Sequence, residues 1–225
     1  GIMKNILIIG ASSGIGKALA LQLAKQEIRV FGTYKHTESA STDNIDFHHL
    51  NVLDEELDLS FVPDELHGLV YCPGSINLKP FHRIKPAEFA EDLQLQTIGA
   101  IRVIQAVLPK LKAGKGSIVL FSTVAVQHGF NFHAQVAVSK GAIEGLTRSL
   151  AAEFAPSIRV NCIAPSLTDT PLAEKLLNSD QKREANAERH PLKRIGTSQD
   201  IANAAAFLLS EDSAWMTGQI LKIDG

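Results

Sequence analysis

The sequence predicts a single α/β domain built on a doubly wound parallel β-sheet of about seven strands, with helices on both faces. Two observations support this fold class. Apolar runs of strand length alternate with longer segments of helical periodicity along the chain. Several of these apolar runs are hydrophobic at consecutive positions, which is typical of strands buried on both faces. Because no repeat or linker interrupts the pattern, we expect one domain over residues 1–225.

The predicted elements follow in order along the chain. The strands are 6–10, 28–34, 45–50, 66–72, 116–122, 157–163 and 219–224. The helices are 14–26, 87–112, 134–155, 172–189 and 199–210. Only about ten residues separate the second strand from the third, and about fifteen separate the third from the fourth, near the lower limit for a helical crossover. We expect these two connections to be abbreviated.

Composition excludes several functional classes. The chain has 225 residues, of which 45% are hydrophobic and 20% charged, enough to bury one large core. Its 22 basic and 24 acidic residues are interspersed, which disfavours a nucleic-acid partner. Cys72 and Cys162 lie at strand ends far apart in sequence, which indicates buried thiols rather than a disulfide or a metal site. The apolar run after Lys4 is too short for a signal peptide or a membrane span, so we expect a cytoplasmic protein.

A glycine-rich turn joins the first strand to the first helix in IIGASSGIG, residues 8–16. Glycines in such a turn let backbone N–H groups and the positive helix N-terminus approach a pyrophosphate. The turn could be purely structural, but its place on the first strand of an alternating β/α chain favours a Rossmann-type dinucleotide site. The expected contacts are Gly10, Ser12, Ser13, Gly14, Ile15 and Gly16.

The spacing G-x-x-x-G-x-G resembles the cofactor loop of the short-chain dehydrogenase/reductase family. The segment RVNCIAPSLTDTPL at 159–172 resembles the one after that family's sixth strand, and residues 190–225 are similar to its C-terminal segment throughout. This resemblance covers nearly the whole chain. It implies hydride transfer between NAD(P)(H) and a small-molecule carbonyl or alcohol, and assembly into a homodimer or homotetramer. It does not indicate which substrate is used.

In that family a tyrosine exchanges the hydroxyl proton, a lysine four residues later lowers its pKa and holds the nicotinamide ribose, a serine orients the carbonyl and an asparagine supports a proton relay. Here the Y-x-x-x-K motif reads Val136 to Lys140, so the lysine matches and a valine replaces the tyrosine. Thr123 occupies the serine position, with Ser122 available if the register shifts by one. Gln96 occupies the asparagine position.

If turnover occurs, the proton must come from water, from the substrate itself or from another side chain, because valine does not titrate. His133, three residues before Val136, would lie on the same helix face if the helix began early enough, and an imidazole suits proton transfer near neutral pH. The other interpretation is a surface histidine at the helix entry. His128, Tyr34 and Tyr71 are weaker candidates, because neither matched motif places them beside the nicotinamide.

Other departures from the family pattern concern the cofactor. The N-N-A-G motif after the fourth strand reads Tyr71 to Gly74, the adenine-contacting aspartate reads Asn51, and the usual P-G reads Pro165-Ser166. By resemblance we expect further cofactor contacts from Tyr34, Lys35, Asn51, Val52, Cys72, Pro73, Gly74, Lys140, Pro165, Ser166, Thr168 and Thr170.

The end of the second strand bears on cofactor preference. It reads Tyr34-Lys35-His36, with no carboxylate before Glu38. A 2'-phosphate requires cations where ribose hydroxyls require a carboxylate, so NADP(H) is favoured over NAD(H). The alternative is that Lys35 is only a solvated loop residue.

Two functional hypotheses follow. In the first, the protein is an NADP-dependent oxidoreductase with an atypical active site, whose residues at about 167–192 form a substrate-covering segment. That segment could equally be an exposed helix. In the second, the protein is a catalytically inactive dinucleotide-binding protein that acts as a sensor or assembly partner. Loss of a general acid typically removes about 10²- to 10⁴-fold in rate without removing binding, so cofactor binding alone does not separate the two.

Overall fold

A computed structural model describes residues 3–42 and 44–225. Its main sheet has seven strands in the order β3-β2-β1-β4-β5-β6-β9, all parallel, which confirms the predicted fold class and all seven predicted strands. The strands are β1 (Asn5–Ile9), β2 (Arg29–Tyr34), β3 (Ile45–His49), β4 (Gly68–Tyr71), β5 (Ser117–Phe121), β6 (Arg159–Pro165) and β9 (Ile220–Ile223). A separate two-stranded sheet pairs β7 (Thr168–Asp169) with β8 (Gly196–Thr197).

Helices cover both faces of the sheet. They are α1 (Gly14–Ala24), α2 (Pro86–Leu93), α3 (Gly99–Gly114), α4 (Ala125–His128), α5 (Ala134–Phe154), α6 (Asp180–Glu188) and α7 (Ser198–Leu209). The connections from β2 to β3 and from β3 to β4 contain no helix within the described residues, which confirms that they are abbreviated. None of the helices described is long and apolar enough to cross a membrane.

Two of the predicted helices differ from the observed ones. The helix predicted at 87–112 is continuous but contains a π-helical turn, Gln94–Ile98, between α2 and α3. The single helix predicted at 172–189 is wrong, because a 3₁₀ segment, Pro171–Leu176, ends before α6 begins. The Ser179 side chain caps α6 by accepting a hydrogen bond from the Lys182 backbone N–H, which starts a new helix there. The short α4 was not predicted.

The core consists of two apolar layers, one on each side of the sheet. One layer includes Leu111 of α3 and Ile143 of α5, and the other includes Leu19 of α1 and Leu208 of α7. The strand order of the sheet reverses at β1, because β2 and β3 lie on one side of β1 while β4 and the later strands lie on the other. In an open parallel sheet, ligands bind at the carboxyl ends of the strands at such a switch point.

The carboxyl ends of β5 and β6 stay paired beyond the strands themselves. The backbone N–H of Ser122 donates to the Ile163 carbonyl oxygen at 2.8 Å, and that of Val124 donates to Pro165 at 3.2 Å. This pairing brings the residues after β5 next to those after β6, at the same edge as the glycine turn.

Candidate active site

A cavity of about 620 Å³ opens at the carboxyl edge of the sheet. Most of the residues predicted to contact cofactor or substrate line it together. They are Gly10, Ser13, Gly14, Ile15, Gly16, Cys72, Pro73, Gly74, Gln96, Thr123, His133, Val136, Lys140, Pro165, Ser166, Thr168 and Thr170.

Five residues predicted to contact the cofactor do not line this cavity: Ser12, Tyr34, Lys35, Asn51 and Val52. The side chain of Val52 is buried in the apolar core instead. Tyr34 ends β2, and its carbonyl oxygen accepts a hydrogen bond from the Leu50 backbone N–H at 3.0 Å, which places Tyr34 near Asn51. Tyr34 and Asn51 thus lie close together at the carboxyl ends of β2 and β3, and their contact with the cofactor stays a prediction.

The glycine turn is shaped for close approach of backbone to ligand. A Cβ added to Gly16 would lie 1.9 Å from the Gly10 carbonyl oxygen, so only glycine allows α1 to pack this tightly against β1. Gly14, the first residue of α1, has a φ of 55°, in the left-handed region that favours glycine. The N-terminus of α1 therefore lies at the cavity wall, where its dipole and unpaired N–H groups suit a pyrophosphate.

Helix α5 places Val136 and Lys140 one turn apart on the cavity wall. Burial lowers the pKa of Lys140, and the neighbouring Asp92 acts in the opposite direction. Burial also raises the pKa of Cys72 to about 12, although Lys140 opposes this shift. At neutral pH Cys72 is therefore a protonated thiol and not a nucleophile.

The two hydroxyls after β5 have different partners. Ser122 donates to the buried carboxylate of Glu144 at 2.5 Å, so its proton is already committed. Thr123 Oγ1 accepts a hydrogen bond from the Ala125 backbone N–H at 3.2 Å, which leaves its own proton free to donate to a substrate oxygen. Of these two residues, Thr123 is therefore the one suited to orient a carbonyl.

Neither of the two tyrosines lines the cavity, although both lie within the described residues. Tyr71 donates its hydroxyl proton to the Leu95 carbonyl oxygen at 2.5 Å, and burial raises its pKa well above the usual range. Tyr71 is thus a structural residue that braces the π-helical turn. Tyr34 packs edge-on against His49 outside the cavity wall.

His133 lies at the cavity and directly precedes α5, so the helix begins one residue too late to include it. Its Nδ1 lies 2.8 Å from the Asn131 carbonyl oxygen. Because a carbonyl only accepts, Nδ1 carries a proton, and Nε2 is the nitrogen left for other contacts.

A buried carboxylate that the sequence did not indicate, Asp92, joins three side chains by hydrogen bonds in the cavity wall near Lys140. Asp92 is only 4% exposed and accepts from Ser75 Oγ at 2.5 Å, from Ser139 Oγ at 2.5 Å and from Gln96 Nε2 at 2.9 Å. These contacts turn the Gln96 amide so that Oε1, which has no hydrogen-bond partner, faces Gly74 on the cavity wall. The available sequence signal was that Asp92 precedes Gln96 by four residues on one helix face.

A second cluster missed by the sequence analysis pairs Ser166 with His190. Ser166 Oγ lies 2.7 Å from His190 Nε2, and His190 Nδ1 lies 2.7 Å from the Asn186 carbonyl oxygen. His190 is 6% exposed and is the buried one among the eight histidines. The available signal was Ser166 itself, which stands where the family motif usually has glycine.

Part of the cavity lining is apolar. It comes from the segments after β4, before α5 and before α6. The apolar residues are Ile76, Leu78, Phe130, Leu172 and Leu176, and Asn186 and Arg189 also line the cavity. A lining that combines apolar and polar side chains is typical of a small-molecule site.

The fold and the cavity together define a Rossmann-type protein with a ligand-sized cavity at the carboxyl edge of its parallel sheet. Residues 10–225 match the family model described as enoyl-(acyl carrier protein) reductase. A tropinone reductase homologue of Arabidopsis thaliana is 32% identical over 246 residues, covering 99% of this chain and 91% of that protein. The 3-oxoacyl-(acyl-carrier-protein) reductase FabG of Thermotoga maritima is 32% identical over 239 residues, covering 99% of this chain and 96% of that protein.

Solved structures agree with these relatives. ElxO with NADP bound superimposes with a TM-score of 0.90 at 29% identity, covering 100% of this chain and 98% of that one. The ligand-free aldohexose dehydrogenase of Thermoplasma acidophilum gives a TM-score of 0.90 at 26% identity, covering 99% and 92%. The chain belongs to the short-chain dehydrogenase/reductase family. It is of the NAD(P)-dependent oxidoreductase type, with a nicotinamide dinucleotide as cofactor and a small molecule as substrate.

Proposed function

We propose that this protein catalyses NADP(H)-dependent hydride transfer to or from a small, largely apolar carbonyl or alcohol, without a tyrosine general acid. The observation that carries the proposal is that Thr123 and Lys140 line the same cavity as the glycine turn, with Val136 at the tyrosine position between them in the motif. The residues that would hold substrate and cofactor are therefore present although the hydroxyl is absent.

The residues present fit a nicotinamide dinucleotide. The closely packed turn at Gly16 and the N-terminus of α1 suit its pyrophosphate, and the ammonium of Lys140 suits the nicotinamide ribose. When bound, the reduced cofactor supplies a hydride. Thr123 donates a hydrogen bond to the substrate oxygen and holds the carbonyl in position. The apolar residues of the cavity lining exclude water from the bound substrate.

Val136 is the residue that favours the second hypothesis, an inactive dinucleotide-binding protein. Its side chain is buried at the cavity wall and supplies no proton. Turnover then requires another proton donor, for which His133 is one candidate because its imidazole reaches the cavity. The segment from Pro171 to Glu188 would cover the substrate, since Leu172, Leu176 and Asn186 line the same cavity.

The deciding experiment screens carbonyl and alcohol substrates with the wild type and the Val136→Tyr variant, following nicotinamide absorbance. Measurable wild-type turnover that depends on Lys140 and Thr123 would support the proposal. If the wild type is inert on every substrate while Val136→Tyr gains activity, the protein retains an enzyme's architecture but is not an enzyme now. The Leu21→Tyr variant, whose side chain is exposed on α1 and does not line the cavity, is the control.

Preference for NADP(H) is part of the same proposal and is supported by the exposed Lys35 directly after β2. Replacing Lys35 with Ala should weaken binding of NADPH by about tenfold and leave binding of NADH unchanged, since only NADPH carries the 2'-phosphate. Lys25→Ala, an exposed lysine just after α1, is the control. Equal loss for both cofactors, or tighter NADH binding by the wild type, would contradict the assignment.

We also propose that the protein is a homodimer or homotetramer in which α5 and the helix formed by α2 and α3 pack against their copies. Exposed Val138 and the open surface over Gly145 on α5 support this arrangement, because among the described residues no atom outside the local turn of α5 lies within 4 Å of a Cβ added to Gly145. Size-exclusion chromatography with light scattering tests it, and a Gly145→Arg variant should dissociate the assembly. A monomeric wild type would contradict it.

A further inference from the structure

We propose that Ser166 and His190 form a proton relay that replaces the missing tyrosine. The inference rests on the proposed oxidoreductase function and names the group that supplies the proton. It begins from two departures from the family pattern around one cavity: a valine replaces the tyrosine at position 136, and a serine replaces the glycine at position 166.

The hydrogen bonds of His190 fix the direction in which protons can pass. The Asn186 carbonyl oxygen, 2.7 Å from Nδ1, only accepts, so Nδ1 carries a proton in both charge states of the ring. The titrating nitrogen is therefore Nε2, which lies 2.7 Å from Ser166 Oγ. A hydroxyl bonded to an imidazole whose other nitrogen is held by a third group is the arrangement that moves protons in many active sites.

The position of Ser166 brings this pair to the part of the cavity wall that adjoins Thr123. The Val124 N–H donates to the Pro165 carbonyl oxygen at 3.2 Å, so Ser166 and Thr123 each adjoin one partner of the same hydrogen bond. Both Ser166 and Thr123 line the cavity, whereas His190 lies behind Ser166 and is buried. A carbonyl oxygen bonded to Thr123 would therefore be within the neighbourhood of Ser166 Oγ.

In reduction, the carbonyl carbon accepts a hydride from the reduced nicotinamide cofactor, and the C=O π electrons move to oxygen. That oxygen takes the proton of Ser166 Oγ–H as Oγ takes the proton from Nε2 of the His190 imidazolium. His190 is left neutral, with the Nδ1 proton still on the ring and hydrogen-bonded to the Asn186 carbonyl oxygen. Solvent then restores the proton on Nε2. Oxidation runs through the same groups in reverse.

The first test measures activity. Ser166→Ala removes the hydroxyl, and His190→Gln keeps a hydrogen-bond donor toward Ser166 but carries no transferable proton. We expect each to lower kcat by about 10²- to 10⁴-fold, with little change in the Kd of the cofactor. The exposed His82→Gln is the matched control. In the Val136→Tyr background, where the tyrosine supplies the proton, both substitutions should leave the rate nearly unchanged.

A second measurement requires no turnover. Long-range ¹H–¹⁵N correlation spectra of the ligand-free protein should show neutral His190 protonated at Nδ1, with an Nε2 resonance that shifts in Ser166→Ala. Protonation at Nε2 in the neutral ring would overturn the relay.

The remaining outcomes separate the relay from the proposed function. Wild-type turnover that is unaffected by Ser166→Ala, or is lost instead in His133→Gln, overturns the relay alone. Equal losses in the wild-type and Val136→Tyr backgrounds indicate a purely structural role and also overturn it. A wild type without turnover on any substrate overturns the proposed function, and the relay with it.

Discussion

Replacing Asp92 with Leu should destabilise the protein strongly, because three donors converge on this one carboxylate. Ser139 and Gln96 are fully buried, and their hydrogen bonds to Asp92 measure 2.5 Å and 2.9 Å. Leucine has the same branched shape but is larger and accepts no hydrogen bond. It leaves the Ser139 hydroxyl buried without this acceptor, and Gln96 Nε2 with only the Ser75 carbonyl oxygen at 3.3 Å. Ser75 is only partly buried and can turn to water.

The magnitude follows mainly from Ser139. A buried donor without a partner costs about 1–3 kcal/mol, so the free energy of unfolding should fall by at least about 1–3 kcal/mol, with a smaller further loss from Gln96. Asp92→Asn keeps one acceptor oxygen, and the serine hydroxyls can reorient toward its amide, so its effect should be smaller. Gln96 loses the contact that turns Oε1 toward Gly74, and we therefore expect Asp92→Asn also to impair catalysis.

Urea denaturation followed by circular dichroism measures the effect, with Glu91→Leu as the matched control. Glu91 is exposed on the same helix, one residue earlier, so its substitution should change stability by less than about 0.5 kcal/mol. If Asp92→Leu were as stable as Glu91→Leu, the argument that Asp92 holds buried donors together would be refuted.

Two further predictions concern the cavity wall. Lys140→Met should raise the free energy of unfolding at neutral pH, because burial lowers the pKa of Lys140 and its charge is therefore costly in the folded state. Between the lowered pKa of Lys140 in the folded state and the unfolded value of about 10.4, the unfolded chain binds more protons than the folded one. The free energy of unfolding of the wild type therefore rises with pH, and the difference in stability between Lys140→Met and the wild type should shrink. A difference that grows with pH would contradict this reasoning. Gly16→Ala should cost about 1–3 kcal/mol or more and abolish cofactor binding, because its Cβ would meet the Gly10 carbonyl oxygen at 1.9 Å. Gly141→Ala, inside α5 at a position where the nearest neighbour of an added Cβ is Val126 Cγ1 at 4.0 Å, should instead stabilise the protein by about 0.5–1 kcal/mol in the same urea titration, and equal effects of the two substitutions would refute the steric argument.

The fold was predictable because the central strands of the sheet bury both faces, so their sequences are uninterrupted apolar runs. Ile6 to Ile9 and Ile118 to Leu120 are almost wholly inaccessible to solvent, and no polar residue breaks either run. The helix predicted at 172–189 failed for a local reason. Apolar periodicity continues through Leu177, but the Ser179 side chain supplies a new helix start, and capping outweighs periodicity there.

The cavity wall was predictable only where one residue's position on a strand end or a helix turn determines its place. Val136 and Lys140 meet this condition, because a four-residue spacing on one helix puts both on the same face. Asp92 and Ser139 do not. They lie 47 residues apart and meet only because α2 packs against α5, and no periodicity encodes that contact.

Ser166 can be placed from its local position in the sequence, whereas His190 can be placed only from the packing of the fold. Ser166 could be placed at the cavity from the end of β6, whereas His190 reaches it from beyond α6, 24 residues later. Asn186 orients His190 through a backbone carbonyl, which leaves no mark on residue type. The sequence therefore shows the valine at position 136 directly, while Ser166, His190 and Asn186 come from segments that only the fold brings together.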